Sequence, residues 1–352
     1  MKFKLKALAV CMMASGMLLA AGGAHAGTTL INAAGTVALG VNDDGSLNTS
    51  NGSVAVNSGT TGVSYKFSDG SFYDATSPGC YCEGWGVSVN GTDSGYANVA
   101  VSSGGLTYGA LTGVTATTAT STTTLTSLPG ITVTQTYQSA TSAPGALFRD
   151  HVTITNTTGA AVTDVKYVRV MDWDVPHTEF NEFVTIQGTG STSFLEESGA
   201  NGFNTANPLA AYDDGGGYFG CHNMDCTAIG PMDHGAYFRF NFGSLADGAS
   251  REFDIFYGAA ANEAGAFSAI AAEGLELFSL GYSNATGAYS YPGAPATSSP
   301  TYIFGFKNVG GSVITPVSAV SPVPEPETYG MLLAGLGLLG FTARRRKDRE
   351  QA

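Results

Sequence analysis

The sequence is dominated by short stretches in which apolar and polar residues alternate one by one. Phe238 and Phe240 alternate with Arg239 and Asn241, and the same period of two recurs at 131–137, 152–155 and 252–257. Successive side chains of a β-strand point to opposite faces, so this period is typical of half-buried strands. Turn sequences such as NDDG at 42–45 and ADG at 246–248 separate the stretches. The pattern predicts an all-β chain whose antiparallel sheets form a β-sandwich, either one large sandwich or two consecutive ones.

One stretch departs from this period. Asn262 is a suitable helix N-cap, and the apolar residues after it, including Phe267 and Ile270, follow helical spacing. We therefore expect one short helix at Glu263–Glu273, ended by Gly274. The stretch at 137–145, rich in Ser, Ala and Thr, is the best seam in the chain. It divides an N-terminal β region at 27–140 from a C-terminal β-sandwich region at 141–320.

The charge distribution excludes one class of partner. Only 12% of the 352 residues are charged, and the net charge is −13. Eight of the 15 Lys and Arg lie in the first six or the last nine residues, so the middle of the chain is more acidic than the total indicates. Such a body is repelled by phosphate backbones, and we expect no binding to nucleic acid.

The N-terminus has the three parts of a secretory signal peptide. Residues 1–26 contain three lysines, an apolar run at 7–21 and the small-residue ending Ala24-His25-Ala26. This run is shorter than the roughly 20 residues that span a bilayer. We expect cleavage before Gly27 and export of the rest of the chain.

The C-terminus carries a second apolar run, at 329–343, which predicts a short transmembrane helix. Basic residues follow it directly, and by the positive-inside tendency they stay in the cytoplasm. The exported body is then held at the inner membrane. Immediately before this run, Pro324 and Pro326 flank Glu325 and keep the chain extended.

Together these features of 321–352 resemble the PEP-CTERM sorting signal. Its parts are the tripeptide Pro324, Glu325 and Pro326, the apolar run, and the cluster Arg344, Arg345 and Arg346. The resemblance implies recognition by an exosortase, a membrane-embedded transpeptidase of Gram-negative bacteria that produce exopolysaccharide. It extends only from Pro322 onward and leaves the body without a family.

Four cysteines remain once the signal peptide is removed: Cys80, Cys82, Cys221 and Cys226. An even number in an oxidising compartment predicts two disulfide bonds. Cys221 and Cys226 are spaced for a local bond, whereas a bond across the single residue between Cys80 and Cys82 closes a small, strained ring. Crosswise pairing of the two loops is an alternative. A zinc site of four cysteines, or one that includes His222 or His234, is another, and redox chemistry is a third.

The densest polar cluster lies at 171–182. In a strand that starts at Lys166, Asp172 and Asp174 point to one face. Clustered carboxylates repel, so one takes up a proton, binds a cation or points away. In an exported protein Ca²⁺ is the expected cation, and it prefers oxygen ligands. The ligands expected for it are Asp172, Asp174, Asn181 and Glu182. Two alternatives stay open: an acidic turn facing water, and two catalytic carboxylates that cleave glycosides with His177 assisting.

These observations predict a non-enzymatic exported protein with a structural or glycan-interacting role. It is held at the inner membrane, processed by an exosortase and delivered to the cell surface or the exopolysaccharide of a biofilm matrix. The alternative is a secreted carbohydrate-active enzyme on a β-sandwich scaffold. A concave pocket lined by Asp172, Asp174, His177, Glu179 and Glu182 together with aromatic residues would favour the enzyme.

Overall fold

A computed structural model of the chain describes residues 27–283 and 299–317. The signal peptide at 1–26 and the sorting segment at 321–352 therefore lie outside the described residues. The strands form three sheets in which the named strands pair antiparallel, which confirms the all-β prediction. No helix within the two described ranges is long and apolar enough to cross a bilayer. The predicted transmembrane helix at 329–343 belongs to neither range.

The N-terminal sheet has four strands in chain order: β1 (Thr28–Ile31), β2 (Val37–Val41), β3 (Val63–Lys66) and β4 (Phe72–Asp74).

The second sheet has five strands in the order β13-β15-β11-β5-β6. They are β5 (Gly84–Val89), β6 (Asp93–Asn98), β11 (Lys166–Asp172), β13 (Leu195–Gly199) and β15 (Gly235–Asn241).

The third sheet has nine strands in the order β14-β12-β17-β18-β16-β10-β9-β8-β7. They are β7 (Leu106–Tyr108), β8 (Ala119–Leu125), β9 (Ile131–Ser139), β10 (Leu147–Asn156), β12 (Glu182–Gln187), β14 (Cys226–Met232), β16 (Ser250–Ala260), β17 (Leu277–Tyr282) and β18 (Thr301–Lys307). Both larger sheets contain strands from either side of residue 140, so the N-terminal and C-terminal regions share their sheets.

Aromatic residues fill the space between the two larger sheets. Tyr167 of β11 meets Phe253 of β16 with ring centroids 4.9 Å apart, and Phe238 of β15 meets Phe304 of β18 at 5.5 Å. All four rings are buried. Because buried aromatic surface is a major source of stability, this layer holds the five-stranded sheet against the nine-stranded one as a sandwich.

Buried and partly exposed residues alternate along strands of which one face is exposed to solvent. Along β9 buried residues alternate with partly exposed ones up to Tyr137, as the sequence predicts. In contrast, β15 is buried on both faces because a second layer covers it. Tyr237 packs there with Val168, Val170 and Ala206.

The predicted helix is present as α1 (Glu263–Glu273). The side chain of Asn262 caps it by accepting the Gly265 N–H at 2.9 Å, and Gly274 ends it in a left-handed conformation. Ile270 of the helix packs in a cluster with Phe278 and Ile303. The helix thus covers part of the outer face of the nine-stranded sheet.

Candidate metal centre

Two connections between the larger sheets run side by side at one end of the sandwich. The first leaves β11 at Asp172 and reaches β12 at Glu182. The second leaves β14 at Met232 and enters β15 at Gly235, so it consists of Asp233 and His234. Asp172 pairs with Gly235 in the β11–β15 ladder. This register brings the acidic residues of both connections to the same place.

Hydrogen bonds fix the two connections to each other and to the segment that follows β4. The Trp173 N–H donates to the His234 carbonyl at 2.9 Å, and the Asp174 N–H donates to the Ala75 carbonyl at 2.7 Å. The His234 N–H in turn donates to Glu182 Oε1 at 2.5 Å. Because each of these contacts joins a different segment, the acidic side chains are held in place by the fold.

Three carboxylates converge on this point, and the His234 N–H holds Glu182 beside them. One oxygen each from Asp172, Asp174 and Asp233 lies within 4.8 Å of the others. Asp172 is 1% exposed, and Asp174 and Glu182 are 0% exposed. In each of the four residues at least one buried oxygen has no hydrogen-bond partner, and in Asp174 both lack one. Buried acceptors without partners are rare and costly, so these oxygens are candidate ligands for a bound cation.

Burial and mutual repulsion raise the pKa of these groups. The pKa of Asp172 lies well above its usual range, chiefly because of burial and then because of the charges of Asp174, Asp233 and Glu182. Burial followed by Asp233 raises the pKa of Asp174 to about 8. Burial raises the pKa of Glu182 to about 9 against the opposing hydrogen bond from His234. Without a counter-charge the cluster therefore holds protons at neutral pH.

The surrounding residues supply no such counter-charge. Within 27–283 and 299–317, no lysine or arginine forms an ion pair with any of the four carboxylates. Burial lowers the pKa of His234 to about 4, so its ring is neutral. The unpartnered oxygens are hard ligands in a confined space, and this donor set fits a divalent cation such as Ca²⁺.

The structure brings together three of the four calcium ligands predicted from the sequence. Asp172, Asp174 and Glu182 come together in the buried cluster, so the alternative of an acidic turn facing water is wrong for these three. Asn181 is exposed, and its place in the ligand set stays a prediction. Asp233 was not among the predicted ligands. Its signal was its position shortly before the alternating stretch that contains Phe238 and Phe240, which pairs with the strand that starts at Lys166.

His177 does not join the cluster. It is exposed, and its ring centroid lies 4.8 Å from that of Tyr73 and 5.6 Å from that of Phe67. Two clefts of the described chain, of about 480 and 200 Å³, are lined by other residues, among them Gln187 and Asp225 in the first and Tyr96 in the second. Neither is the carboxylate-lined pocket that a glycoside-cleaving enzyme would need.

The cysteines pair locally. Cys80 is joined to Cys82 with their Cα atoms 5.1 Å apart, and Cys221 to Cys226 at 5.5 Å. The crosswise alternative is therefore not the one observed. His222 lies beside Glu197, with its Nε2 2.6 Å from Oε1. The first pair lies beside the acidic cluster, because both sulfurs and one Asp172 oxygen are within 4.8 Å of one another.

The fold and this site define a β-sandwich protein with a buried acidic cluster and two local disulfide bonds. The model of the PEP-CTERM protein-sorting motif matches residues 322–347. The chain thus carries a PEP-CTERM sorting motif, which supports an exported protein that an exosortase processes at the membrane. No curated protein matches the chain.

Proposed function

We propose that this protein has a non-enzymatic role, structural or glycan-interacting, at the cell surface or in the exopolysaccharide matrix, and that calcium stabilises its body there. The segment at 329–343 holds the exported chain at the inner membrane until an exosortase processes it. The observation that carries the calcium assignment is the cluster of Asp172, Asp174 and Asp233, with Glu182 beside it, and the buried oxygens of these residues that have no hydrogen-bond partner.

The position of the cluster explains what the cation does. The carboxylates belong to the two connections that pass between the larger sheets, and they repel one another when they are ionised. A bound cation replaces this repulsion with attraction to every ligand. Calcium therefore acts as a cross-link between the sheets, which suits a protein that works outside the cell where calcium is available.

The burial of the carboxylates also favours a structural role over catalysis. A catalytic pair must reach a substrate, whereas Asp174 and Glu182 are completely buried. The acidic charge of the body fits the same environment, because it resists adsorption to anionic lipid once the C-terminal segment has been removed.

Calcium titration of the thermal unfolding of the oxidised chain tests this proposal. Saturating Ca²⁺ stabilises by mass action, so at about one hundred times Kd we expect the Tm to rise by about 5 °C. Asp174→Asn should abolish most of the rise. The exposed Asp247, changed to Asn, serves as a matched control and should respond like the wild type. Equal responses of the Asp174→Asn variant and the wild type would overturn the assignment.

A further inference from the structure

The Cys80-Tyr81-Cys82 segment forms a second group of metal ligands with Asp172. The two sulfurs and one carboxylate oxygen lie within 4.8 Å of one another. Cys82 is 1% exposed and Asp172 equally so, while Cys80 is partly exposed and Tyr81 reaches solvent. The group is therefore buried on the side of the carboxylate and open on the side of the first cysteine.

The β5–β11 ladder explains why these residues meet. Val170 pairs with Gly84 in this antiparallel register. Continued by two residues, the same register places Cys82 opposite Asp172. The proximity of thiol and carboxylate thus follows from strand pairing and does not depend on the bond between the two sulfurs.

A buried ion pair holds the segment in this register. Glu83, the residue after Cys82, has its Oε1 2.5 Å from Arg169 Nε, and its Oε2 accepts the Leu47 N–H at 2.7 Å. The Asn98 side-chain amide donates to the Cys82 carbonyl at 2.7 Å. None of these contacts involves the S–S bond, so we expect the freed thiols to stay beside Asp172 when this bond is opened.

We propose that reduction of the Cys80–Cys82 bond creates a site for a zinc-class divalent ion, with both thiolates and the Asp172 carboxylate as ligands. A dithiol supplies the two electrons and two protons that open the S–S bond, and it is itself oxidised to a disulfide. Binding of the ion then releases both thiol protons to solvent. Thiolates favour zinc-class ions over calcium, and three protein ligands leave the fourth tetrahedral position to water.

The second cysteine pair provides an internal comparison. Among the described residues, Cys221 and Cys226 share no group of three closely spaced metal ligands. Both pairs yield two thiols on reduction, but only the first has a carboxylate in place. The proposal therefore predicts a difference between two chemically identical pairs in one chain.

Cobalt(II), a spectroscopic substitute for zinc, tests the proposal. The full chain, carrying Cys11→Ser and purified in detergent, is reduced with dithiothreitol, desalted anaerobically and titrated with Co²⁺. We expect a thiolate-to-cobalt charge-transfer band that saturates at one ion per chain and is absent from the oxidised protein. The band should persist in the Cys221→Ser, Cys226→Ser variant and vanish in the Cys80→Ser, Cys82→Ser variant. Asp172→Asn should weaken binding at least tenfold.

Two results would overturn the proposal: no band in the reduced chain, or a band that survives the Cys80→Ser, Cys82→Ser change. If that variant does not fold, alkylation of the reduced Cys221→Ser, Cys226→Ser chain with iodoacetamide replaces it and should remove the band. The outcome is independent of the calcium proposal, which is tested in the oxidised chain through Asp174. Asp174 belongs only to the carboxylate group.

Discussion

Arg169 of β11 and Glu83, the residue before β5, form an ion pair from which water is excluded. Arg169 Nε and Glu83 Oε1 are 2.5 Å apart, and both side chains are 0% exposed. The Arg169 guanidinium also donates to Gln135 Oε1 at 2.7 Å and lies over the Tyr257 ring at 5.3 Å. It thereby connects the facing sheets of the sandwich. The same pair fixes the segment that carries Cys82. One contact therefore contributes both to the stability of the core and to the position of Cys82.

Glu83→Gln should therefore destabilise the protein by about 3–5 kcal/mol, because it removes the nearest counter-charge of the buried Arg169. Urea unfolding at pH 7 measures the loss. Glu196→Gln is the matched control, since Glu196 pairs with Arg239 at 2.8 Å but is 32% exposed. Its loss should be about 1 kcal/mol or less. Similar losses for the two variants would contradict this account.

The stability of the protein should depend on pH through the protonation of Asp150. This residue is buried, and Arg169 Nη1 lies 3.8 Å from its Oδ2. Burial raises its pKa to about 7, with Arg169 opposing the shift. A folded-state pKa above the unfolded one favours folding at low pH, and this contribution is lost as the pH rises from about 4 through about 7.

Asp150→Asn imitates the protonated form at every pH. The variant should match the wild type near pH 4 and exceed its stability by up to roughly 4 kcal/mol above pH 8. Chemical unfolding at pH 4, 6 and 8.5 measures the difference. Asp247→Asn, on the surface, should leave the pH profile unchanged. Parallel profiles for Asp150→Asn and the wild type would count against a raised pKa at this position.

The acidic cluster should also make the stability of the metal-free protein fall as the pH rises, and this fall should extend to a higher pH than the one due to Asp150. Asp174 has its pKa raised to about 8 and Glu182 to about 9, so their contribution to stability is lost as the pH rises through these values. Thermal unfolding in EDTA from pH 5 to 9 should show a falling Tm. Excess calcium should remove the fall, because it binds the ionised carboxylates. The Asp174→Asn, Glu182→Gln variant should show the smaller slope in EDTA; a slope equal to that of the wild type would contradict the assignment.

The local features of this fold were more predictable from the sequence than its long-range contacts. The helix at 263–273 was predictable because Asn262 and Gly274 mark its ends within a few residues. Asp172 and Asp174 were predictable as a cluster because they lie two residues apart where one strand ends. Asp233 was not, because it reaches the cluster only through the pairing of β11 with β15. The meeting of Cys82 and Asp172 depends in the same way on strand register, which alternation of polarity does not specify.

The backbone packs so closely around Asp172 that any side chain at Gly202 should destabilise the protein. A Cβ at Gly202 would lie 2.5 Å from the Met171 carbonyl oxygen and 2.7 Å from the Asp172 Cα, both backbone atoms. Gly202→Ala should therefore cost about 1–3 kcal/mol. Gly190, where a Cβ meets nothing within 4 Å, is the control and should tolerate alanine. Urea unfolding of the two variants compares them, and equal stabilities would show that the backbone at Asp172 adjusts freely.

Removal of the sorting segment should change where the protein goes and leave the body folded. The motif match at 322–347 lies beyond the last named strand, which ends at Lys307. We expect a chain truncated before Pro324 to be released early or misplaced, with the Tm of its body within about 2 °C of the wild type. Glu325→Ala tests recognition of the tripeptide with the apolar run and the arginines intact, and it should leave unprocessed chain at the inner membrane. Fractionation of the cells and mass measurement of each product distinguish these outcomes. A truncated chain that no longer folds would show that the segment stabilises the body and is not only a sorting signal.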